Sequence, residues 1–180
     1  MGGTDKGLVP LLNKPLVQHV IERLTPQVDE VLINANREIE RYETFNLPVI
    51  IDEHANFIGP LAGFAQGLKN GKHGYILTVP CDSPLLPEDL VGRLIKGLTD
   101  KEADIAVAKS AGDTHPVFCL MKKSVLPSLF VYINQGERKV STWQKTHQYI
   151  EVEFNDVSEA FVNLNTFEAL EALALKLENA

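Results

Sequence analysis

Hydrophobic and polar positions along the chain alternate between two patterns. Short aliphatic and β-branched runs that stop at polar residues predict strands, whereas apolar residues spaced three or four positions apart predict helices. The predicted helices begin after Pro15, after Gly59-Pro60, after Pro87 and at Thr166. The predicted strands cover 30–35, 47–51, 75–79, 103–108, 117–121 and 149–154.

The order of these elements indicates the fold class. Strands that alternate with helices of this length form βαβ units, in which right-handed crossovers build a mainly parallel sheet. The sequence has no internal repeat and no linker rich in Gly, Pro or Ser. We therefore predict one α/β domain that spans residues 1–180.

Composition and charge narrow the functional classes. The 180 residues include 17 Lys and Arg against 24 Asp and Glu, a formal net charge of −7. This balance argues against a nucleic-acid-binding protein, which would need a basic surface. No apolar run approaches the roughly 20 residues of a membrane span, and the first residues lack the apolar stretch of a signal peptide. Cys81 and Cys119 are far apart, so we expect two reduced thiols in a cytoplasmic protein that binds neither nucleic acid nor membrane.

Polar residues directly follow several of the predicted runs. In open α/β sheets, ligands bind beyond the carboxyl ends of the strands, so these residues are candidates for a binding site. Taken singly, each is better explained by an Asx turn or a helix cap, and only their common position in the fold favours a binding site. The candidates are Asn34, Asn36, Asp52, Asp82, Asn163 and Asn165.

Asp82 is the most informative of these residues. It follows the strand predicted over 75–79 and lies between Pro80 and Pro84, which stiffen the turn. Mg²⁺ is commonly held by a carboxylate together with substrate phosphates and water, so Asp82 is a candidate magnesium ligand. An aspartate that only begins a turn before Ser83 is the alternative.

Lys6 lies in a glycine-rich segment near the start of the chain, Gly2-Gly3-Thr4-Asp5-Lys6-Gly7. Glycines let backbone N–H groups approach phosphate oxygens, and an ammonium group neutralises their charge. The segment does not match the phosphate-binding loop of the NTPases, and a solvated chain terminus is the alternative. Gly59 and Gly63 also allow two interpretations, backbone amides presented to an anion or a plain helix start.

Several common catalytic arrangements are absent from the sequence. No two of the five histidines form an HxxxH pair, Cys81 has no histidine at a partnering spacing, and no G-x-S-x-G motif occurs. A zinc site, a Cys–His nucleophile and a hydrolase elbow are therefore not predicted.

A set of short motifs resembles one family over essentially the whole chain. Residues 1–8 resemble the second half of the nucleotidyltransferase signature L-A-G-G-x-x-x-R-M-G-x-D-K. Several motifs are shared with sugar and lipid-precursor nucleotidyltransferases, and the Asn-Ala-Asn-Arg and Asn-x-Asn-Thr pieces narrow the resemblance to the molybdenum cofactor guanylyltransferase family. The motifs that follow in that family's order are Asn13-Lys14-Pro15-Leu16, Asn34-Ala35-Asn36-Arg37, Gly59-Pro60-Leu61-Ala62-Gly63, Pro80-Cys81-Asp82-Ser83-Pro84 and Val162-Asn163-Leu164-Asn165-Thr166.

The resemblance implies a Rossmann-like, three-layer α/β/α nucleotidyltransferase fold. It also implies transfer of GMP from GTP to Mo-molybdopterin with Mg²⁺, which gives molybdopterin guanine dinucleotide and pyrophosphate. Molybdoenzymes or their chaperones are the further partners that it implies. By this resemblance, the catalytic residues would be Lys6, which would contact the GTP phosphates, and Asp82, which would bind Mg²⁺. The implied nucleotide-binding residues are Lys6, Asn34, Asp52 and Asp82, and the implied acceptor-binding residues are Gly59, Gly63, Asn163 and Asn165.

The chain departs from the family pattern at its start. Met1 occupies the internal Met of the signature, so the hydrophobic strand and the L-A-G-G-x-x-x-R loop that precede it in the family are not in this sequence. By resemblance that strand lies centrally in the sheet, and without it the runs at Val31 and Ile76 would lose their shared neighbour. We expect either a start placed at an internal Met or a trimmed chain, with weak transfer activity and low stability.

Two other functions stay open at this point. One is the same chemistry with another base or acceptor, as in a cytidylyltransferase or a sugar-phosphate nucleotidyltransferase. The other is a non-catalytic nucleotide-binding module, which an incomplete phosphate loop would produce.

Overall fold

The structure is a computed structural model that describes residues 5–52, 59–162, 164 and 166–178. Within these ranges, no helix combines the length and the apolar character needed to cross a bilayer.

The strands are β1 (Pro10–Leu11), β2 (Lys14–Pro15), β3 (Ile33–Asn34), β4 (Val49–Ile50), β5 (Tyr75–Thr78), β6 (Ile105–Ser110), β7 (Asp113–Lys122) and β8 (Tyr149–Glu153). The helices are α1 (Leu16–Leu24), α2 (Ile39–Glu43), α3 (Pro60–Asn70), α4 (Leu90–Asp100), α5 (Leu126–Asn134), α6 (Val140–Gln144) and α7 (Phe167–Glu178). Short 3₁₀ segments lie at Lys6–Leu8, Thr25–Gln27, Lys123–Val125 and Asn155–Phe161.

A four-stranded sheet in the order β5-β7-β6-β8 forms the centre of the domain. β6 pairs in parallel with β8 and antiparallel with β7, which also pairs antiparallel with β5. Successive residues of β6 point to opposite faces of the sheet, so Ala106 joins one hydrophobic cluster and Val107 joins the other. Both residues are fully buried, and both faces therefore need a covering layer.

The helices provide these layers because their apolar residues recur at helical spacing. On one face, Leu90, Leu94 and Leu98 of α4 are buried and pack in the same cluster as Ala106. On the other face, residues of α3 and α5 pack around the buried Trp143. With a helical layer on each side, the molecule has the three-layer α/β/α architecture that the resemblance implied.

A separate two-stranded sheet positions the candidate ligand-binding residues. β3 pairs in parallel with β4, with Ile33 opposite Val49 and Asn34 opposite Ile50. Because the two strands run in the same direction, their carboxyl ends emerge at the same edge. Asn34 and Asp52 are thereby brought to one side of the molecule.

The structure confirms the predicted α/β class, but the central sheet is mixed and not mainly parallel, because β7 pairs antiparallel with both of its neighbours. Several elements also differ from the prediction. β3 and β4 each keep only two paired residues of the longer runs predicted for them. β7 is longer than predicted, because a turn at Ala111 and Gly112, both with positive φ, folds the chain back along β6. α5 was not predicted, because its mixture of aliphatic, β-branched and aromatic residues does not separate a helix from a strand.

A cleft separates the two sheets. It has a volume of about 640 Å³, and its walls include Val31 and Ile33 on one side and Ile76 and Leu77 on the other. In the described part of the chain, β3 pairs with β4 alone and β5 pairs with β7 alone. Most of the cleft wall consists of aliphatic side chains, so it offers an apolar surface on both sides.

We propose that this cleft can accept an apolar strand between β3 and β5. Joining to Met1 an extension that carries about five consecutive Val and Ile residues, a usual strand length, tests the proposal. The melting temperature should rise by at least about 5 °C, since each side chain buried in the cleft contributes about 1.5–3 kcal/mol. Fluorescence of the dye ANS, which reports exposed apolar surface, should fall at the same time.

An extension of the same length, in which Ser and Asn replace the Val and Ile residues, is the matched control for this experiment. It should change neither the melting temperature nor the ANS signal. Equal effects from the two extensions would show that the cleft does not take an apolar strand.

Candidate active site

Candidate side chains from three strands meet at one edge of the molecule. Asn34 ends β3, Asp52 follows β4 and Asp82 follows β5, each at the carboxyl end of its strand. The 3₁₀ turn that contains Lys6 lies at the same edge, since Lys6 Nζ is 3.6 Å from Asp82 Oδ2. The structure therefore brings these four predicted site residues to the edge where the sequence predicted a ligand site.

Asn34, Asn36 and Asp52 form a hydrogen-bonded group that we call the amide cluster. Asn34 Nδ2 donates to Asp52 Oδ1 at 3.0 Å, and Asn36 Nδ2 donates to Asp52 Oδ2 at 2.6 Å. The backbone N–H of Asp52 donates in return to Asn36 Oδ1 at 2.9 Å. Each carboxylate oxygen is thus oriented by one amide and keeps further acceptor capacity for the N–H groups of a ligand.

The start of α3 borders the amide cluster. A Cβ atom placed on Gly63 would lie 3.5 Å from Asn34 Nδ2, so α3 approaches this amide closely. Gly59, the N-cap residue of α3, has a φ of 104°, a conformation that favours glycine. The predicted acceptor residues Asn163 and Asn165 lie outside the described residues, as does the segment 53–58.

The turn Lys6–Leu8, which we call the lysine turn, is anchored at its base. Asp5 Oδ1 accepts hydrogen bonds from Gly7 N at 3.2 Å and from the Tyr42 hydroxyl at 2.6 Å. Arg37 Nε lies 3.7 Å from the other oxygen, Asp5 Oδ2. The Lys6 side chain extends from this anchored base and is 44% exposed, so an anion that enters from solvent can reach its ammonium group.

Asp82 faces the lysine turn from the β5 side. Its side chain is only 12% exposed, and the next residue, Ser83, is fully buried, so the carboxylate is held by a packed turn. The described residues contain no group of three His, Cys, Asp or Glu side chains that could hold a metal unaided. A lone hard carboxylate fits Mg²⁺, which keeps several waters and takes further ligands from substrate phosphates.

Cys81 lies between Asp82 and the lysine turn. A Cβ atom placed on Gly7 would be 3.1 Å from Cys81 Sγ, so the sulfur packs directly on the turn. The pKa of the Cys81 thiol is raised to about 11. Desolvation of the sulfur is the main cause, and the nearby carboxylates of Asp82 and Asp5 raise the pKa further. The thiol is therefore protonated at neutral pH and is a poor nucleophile.

Residues to which the resemblance gave no catalytic or binding role contribute to this edge. Asn36 orients Asp52, and Asp5, Arg37 and Tyr42 hold the lysine turn. Asn36 and Arg37 belong to the Asn-Ala-Asn-Arg motif, and Asp5 precedes Lys6, so the motifs contained a signal for these three. No sequence motif pointed to Tyr42, because the five-residue helix α2 that carries it was not predicted.

Comparisons with known proteins identify the family. A family model described as MobA-like NTP transferase domain matches residues 1–150. A molybdenum cofactor guanylyltransferase from Shewanella pealeana is 46% identical over 179 residues, which cover 99% of this chain and 90% of that protein. The chain belongs to the molybdenum cofactor guanylyltransferase family. It is therefore a nucleotidyltransferase, and the resemblance drawn from its motifs is confirmed.

Solved nucleotidyltransferase structures share the fold of this family member. Molybdopterin-guanine dinucleotide biosynthesis protein A of Archaeoglobus fulgidus matches with a TM-score of 0.81 at 20% identity, over 99% of this chain and 93% of that one. The 2-C-methyl-D-erythritol 4-phosphate cytidylyltransferase of Thermus thermophilus matches with a TM-score of 0.72 at 13% identity, over 97% of this chain and 94% of that one. These two matches show the fold alone, and the Rossmann-like class is confirmed.

Labelling with iodoacetamide tests the surroundings of Cys81. Only the thiolate reacts, so the labelling rate should rise through about pH 11 instead of near the ordinary cysteine value of about 8.5. Asp82→Asn removes one of the carboxylates that raise the pKa, so this variant should have a lower Cys81 pKa and faster labelling at alkaline pH. Mass spectrometry separates this peptide from that of Cys119, whose pKa burial raises to about 12.

The unfolded chain is the reference for this titration. Labelling of Cys81 in the folded protein that follows the same pH curve as in the unfolded chain would show that the sulfur is not packed against the lysine turn.

Proposed function

We propose that this protein transfers GMP from GTP to Mo-molybdopterin and releases pyrophosphate. The observation that carries the proposal is the juxtaposition of Lys6 and Asp82 beside the amide cluster, at the carboxyl edge of the strands. A nucleoside triphosphate needs a cation and a metal ligand for its phosphates and polar acceptors for its base, and this edge supplies both. The names of the family relatives supply the two substrates.

The amide cluster suits the nucleoside end of GTP. Asp52 presents a carboxylate whose two oxygens are held in place by Asn34 and Asn36. A guanine base offers neighbouring N–H donors, and an oriented carboxylate can accept two of them at once. Asn34 and Asp52 are therefore the proposed nucleotide-binding residues, and Asn36 orients Asp52.

Asp82 and Lys6 suit the phosphate end of GTP. Asp82 would hold Mg²⁺, which when bound supplies positive charge to the phosphate oxygens. Lys6 would contact the same phosphates, since its ammonium lies 3.6 Å from Asp82 Oδ2. Together the two residues would offset the repulsion between GTP and an anionic acceptor.

The reaction requires little further chemistry from the protein. An oxygen of the molybdopterin phosphate forms a bond to the α-phosphorus of GTP, and the bond from that phosphorus to the bridging oxygen breaks. The electron pair of that broken bond leaves with pyrophosphate. Because the attacking phosphate is already anionic, no serine, cysteine or strong base is needed, and the residues act by aligning and neutralising the two anions.

The acceptor would bind on the α3 side of the edge. Gly59 and Gly63 lie at the start of α3 and are the proposed acceptor-binding residues there. Asn163 and Asn165 are proposed as acceptor-binding residues by resemblance to the family alone. Molybdoenzymes or their chaperones are the proposed recipients of the product, and the cytoplasm is the proposed site of action.

Replacement of Asp82 tests the proposed metal and phosphate role. Asp82→Ala should abolish Mg²⁺-dependent pyrophosphate release from GTP and weaken Mg·GTP binding in isothermal titration, because the metal loses its carboxylate ligand. Far-ultraviolet circular dichroism should stay native. Both measurements should be made on residues 1–180 and on a chain extended ahead of Met1.

Asp100→Asn provides the matched control, because Asp100 is an exposed carboxylate that pairs with Lys96 at the end of α4. This variant should keep the wild-type affinity and rate. Full transfer activity in Asp82→Ala would overturn the assignment of Asp82.

The choice of nucleotide separates the proposed function from its alternatives. Pyrophosphate release with GTP should exceed release with CTP when molybdopterin is the acceptor, because Asp52 accepts from the N–H donors of guanine. The reverse order would favour a cytidylyltransferase. Binding of GTP with no turnover in the extended chain would favour a non-catalytic module.

A further inference from the structure

A hydrogen bond from a buried tyrosine reaches the base of the lysine turn. The Tyr42 hydroxyl donates to Asp5 Oδ1 at 2.6 Å, and the same oxygen accepts from Gly7 N at 3.2 Å. Asp5 is the N-cap residue of the turn, so its carboxylate fixes the backbone that carries Lys6. Tyr42 thus contacts the turn through the residue that defines its shape.

Tyr42 is well suited to serve as a fixed anchor. It is 3% exposed and packs in one hydrophobic cluster with Leu8, Val17 and Ile33, so its ring cannot move without disturbing that cluster. Burial and the adjacent Asp5 carboxylate raise the pKa of Tyr42 far above its ordinary value. The hydroxyl therefore stays a proton donor throughout the usable pH range.

The lysine turn lies between the β3 side and the β5 side of the cleft. A Cβ atom placed on Gly7 would lie 2.6 Å from the Tyr42 hydroxyl and 3.1 Å from Cys81 Sγ. Gly7 therefore brings the turn into contact with both sides at once. A small displacement at Asp5 would move the turn relative to Asp82.

We infer that Tyr42 is a positioning residue that acts through Asp5 to hold the Lys6 ammonium where the triphosphate binds. The inference rests on the proposed function, because it assigns the phosphates to Lys6. Tyr42 itself touches no substrate. Its contribution is to prevent the Asp5 carboxylate from turning toward Arg37, which lies 3.7 Å from its second oxygen.

Tyr42→Phe tests this role because it removes the hydroxyl and keeps the buried ring. One lost hydrogen bond to a carboxylate should raise the dissociation constant of Mg·GTP about three- to tenfold. Guanosine has no phosphates, so its dissociation constant should not change. An equal loss for both ligands would indicate a general structural role and would overturn the inference.

A double-mutant cycle with Lys6→Ala shows whether Tyr42 acts through Lys6. If it does, Tyr42→Phe should weaken Mg·GTP binding in the wild-type background and have almost no further effect in the Lys6→Ala background. Additive losses would contradict the inference. Tyr132→Phe is the matched control, since it removes a hydroxyl bond to Lys139 O on the exposed side of α5 and should leave binding unchanged.

Lysine labelling keeps the test independent of the nucleotide. Acetylation of Lys6, measured by mass spectrometry against Lys14 in the same molecule, should be faster in Tyr42→Phe because Lys6 spends less time beside Asp82. An unchanged Lys6 rate would overturn the inference whatever the protein binds. Lys6 acetylation could be faster in Tyr42→Phe than in the wild type while the wild-type protein binds no Mg·GTP. That result would overturn the proposed function alone.

Discussion

Backbone pairing within the sheets is the constraint on which the rest of the structure depends. β6 is paired on both sides and buried on both faces, so its N–H and C=O groups are satisfied and α4, α3 and α5 are fixed against it. β5 and β3 are each paired on one side, with the apolar cleft between them. The candidate site lies at the carboxyl end of both strands, so the geometry of the site depends on how the two sheets are held apart.

Side-chain contacts join the two sides of the cleft at its ends. At one end, Glu30 accepts from the backbone N–H of Lys72 and pairs with its ammonium at 2.9 Å. At the other end, the lysine turn contacts Tyr42 on one side and Cys81 and Asp82 on the other. Exposed ion pairs contribute little to stability, so the packed lysine turn is the firmer of the two connections. The turn that carries the proposed phosphate-binding lysine thus also connects the two sheets.

The sequence predicted more of the site than of the strands that carry it. Asn34, Asp52, Lys6 and Asp82 were singled out because each follows an apolar run or lies in a glycine-rich segment. Asn34 contacts Asp52 and Lys6 lies beside Asp82, and their binding roles stay predictions. The lengths of β3 and β4 were overestimated, because apolar periodicity reports burial and does not report which backbone groups find a partner. The helices α2 and α6 were missed, since five residues are too few for a periodic signal.

The sequence by itself determined the α/β class, the family and the chemical types gathered at the site, because short motifs and strand-end residues are local properties of the chain. Only the tertiary structure decided that Asn36 orients Asp52 and that Tyr42 anchors Asp5, since these contacts join residues 16 and 37 positions apart. It also decided that the sheet is divided by an apolar cleft, because the pairing of a strand depends on its neighbours in space and not on its own residues.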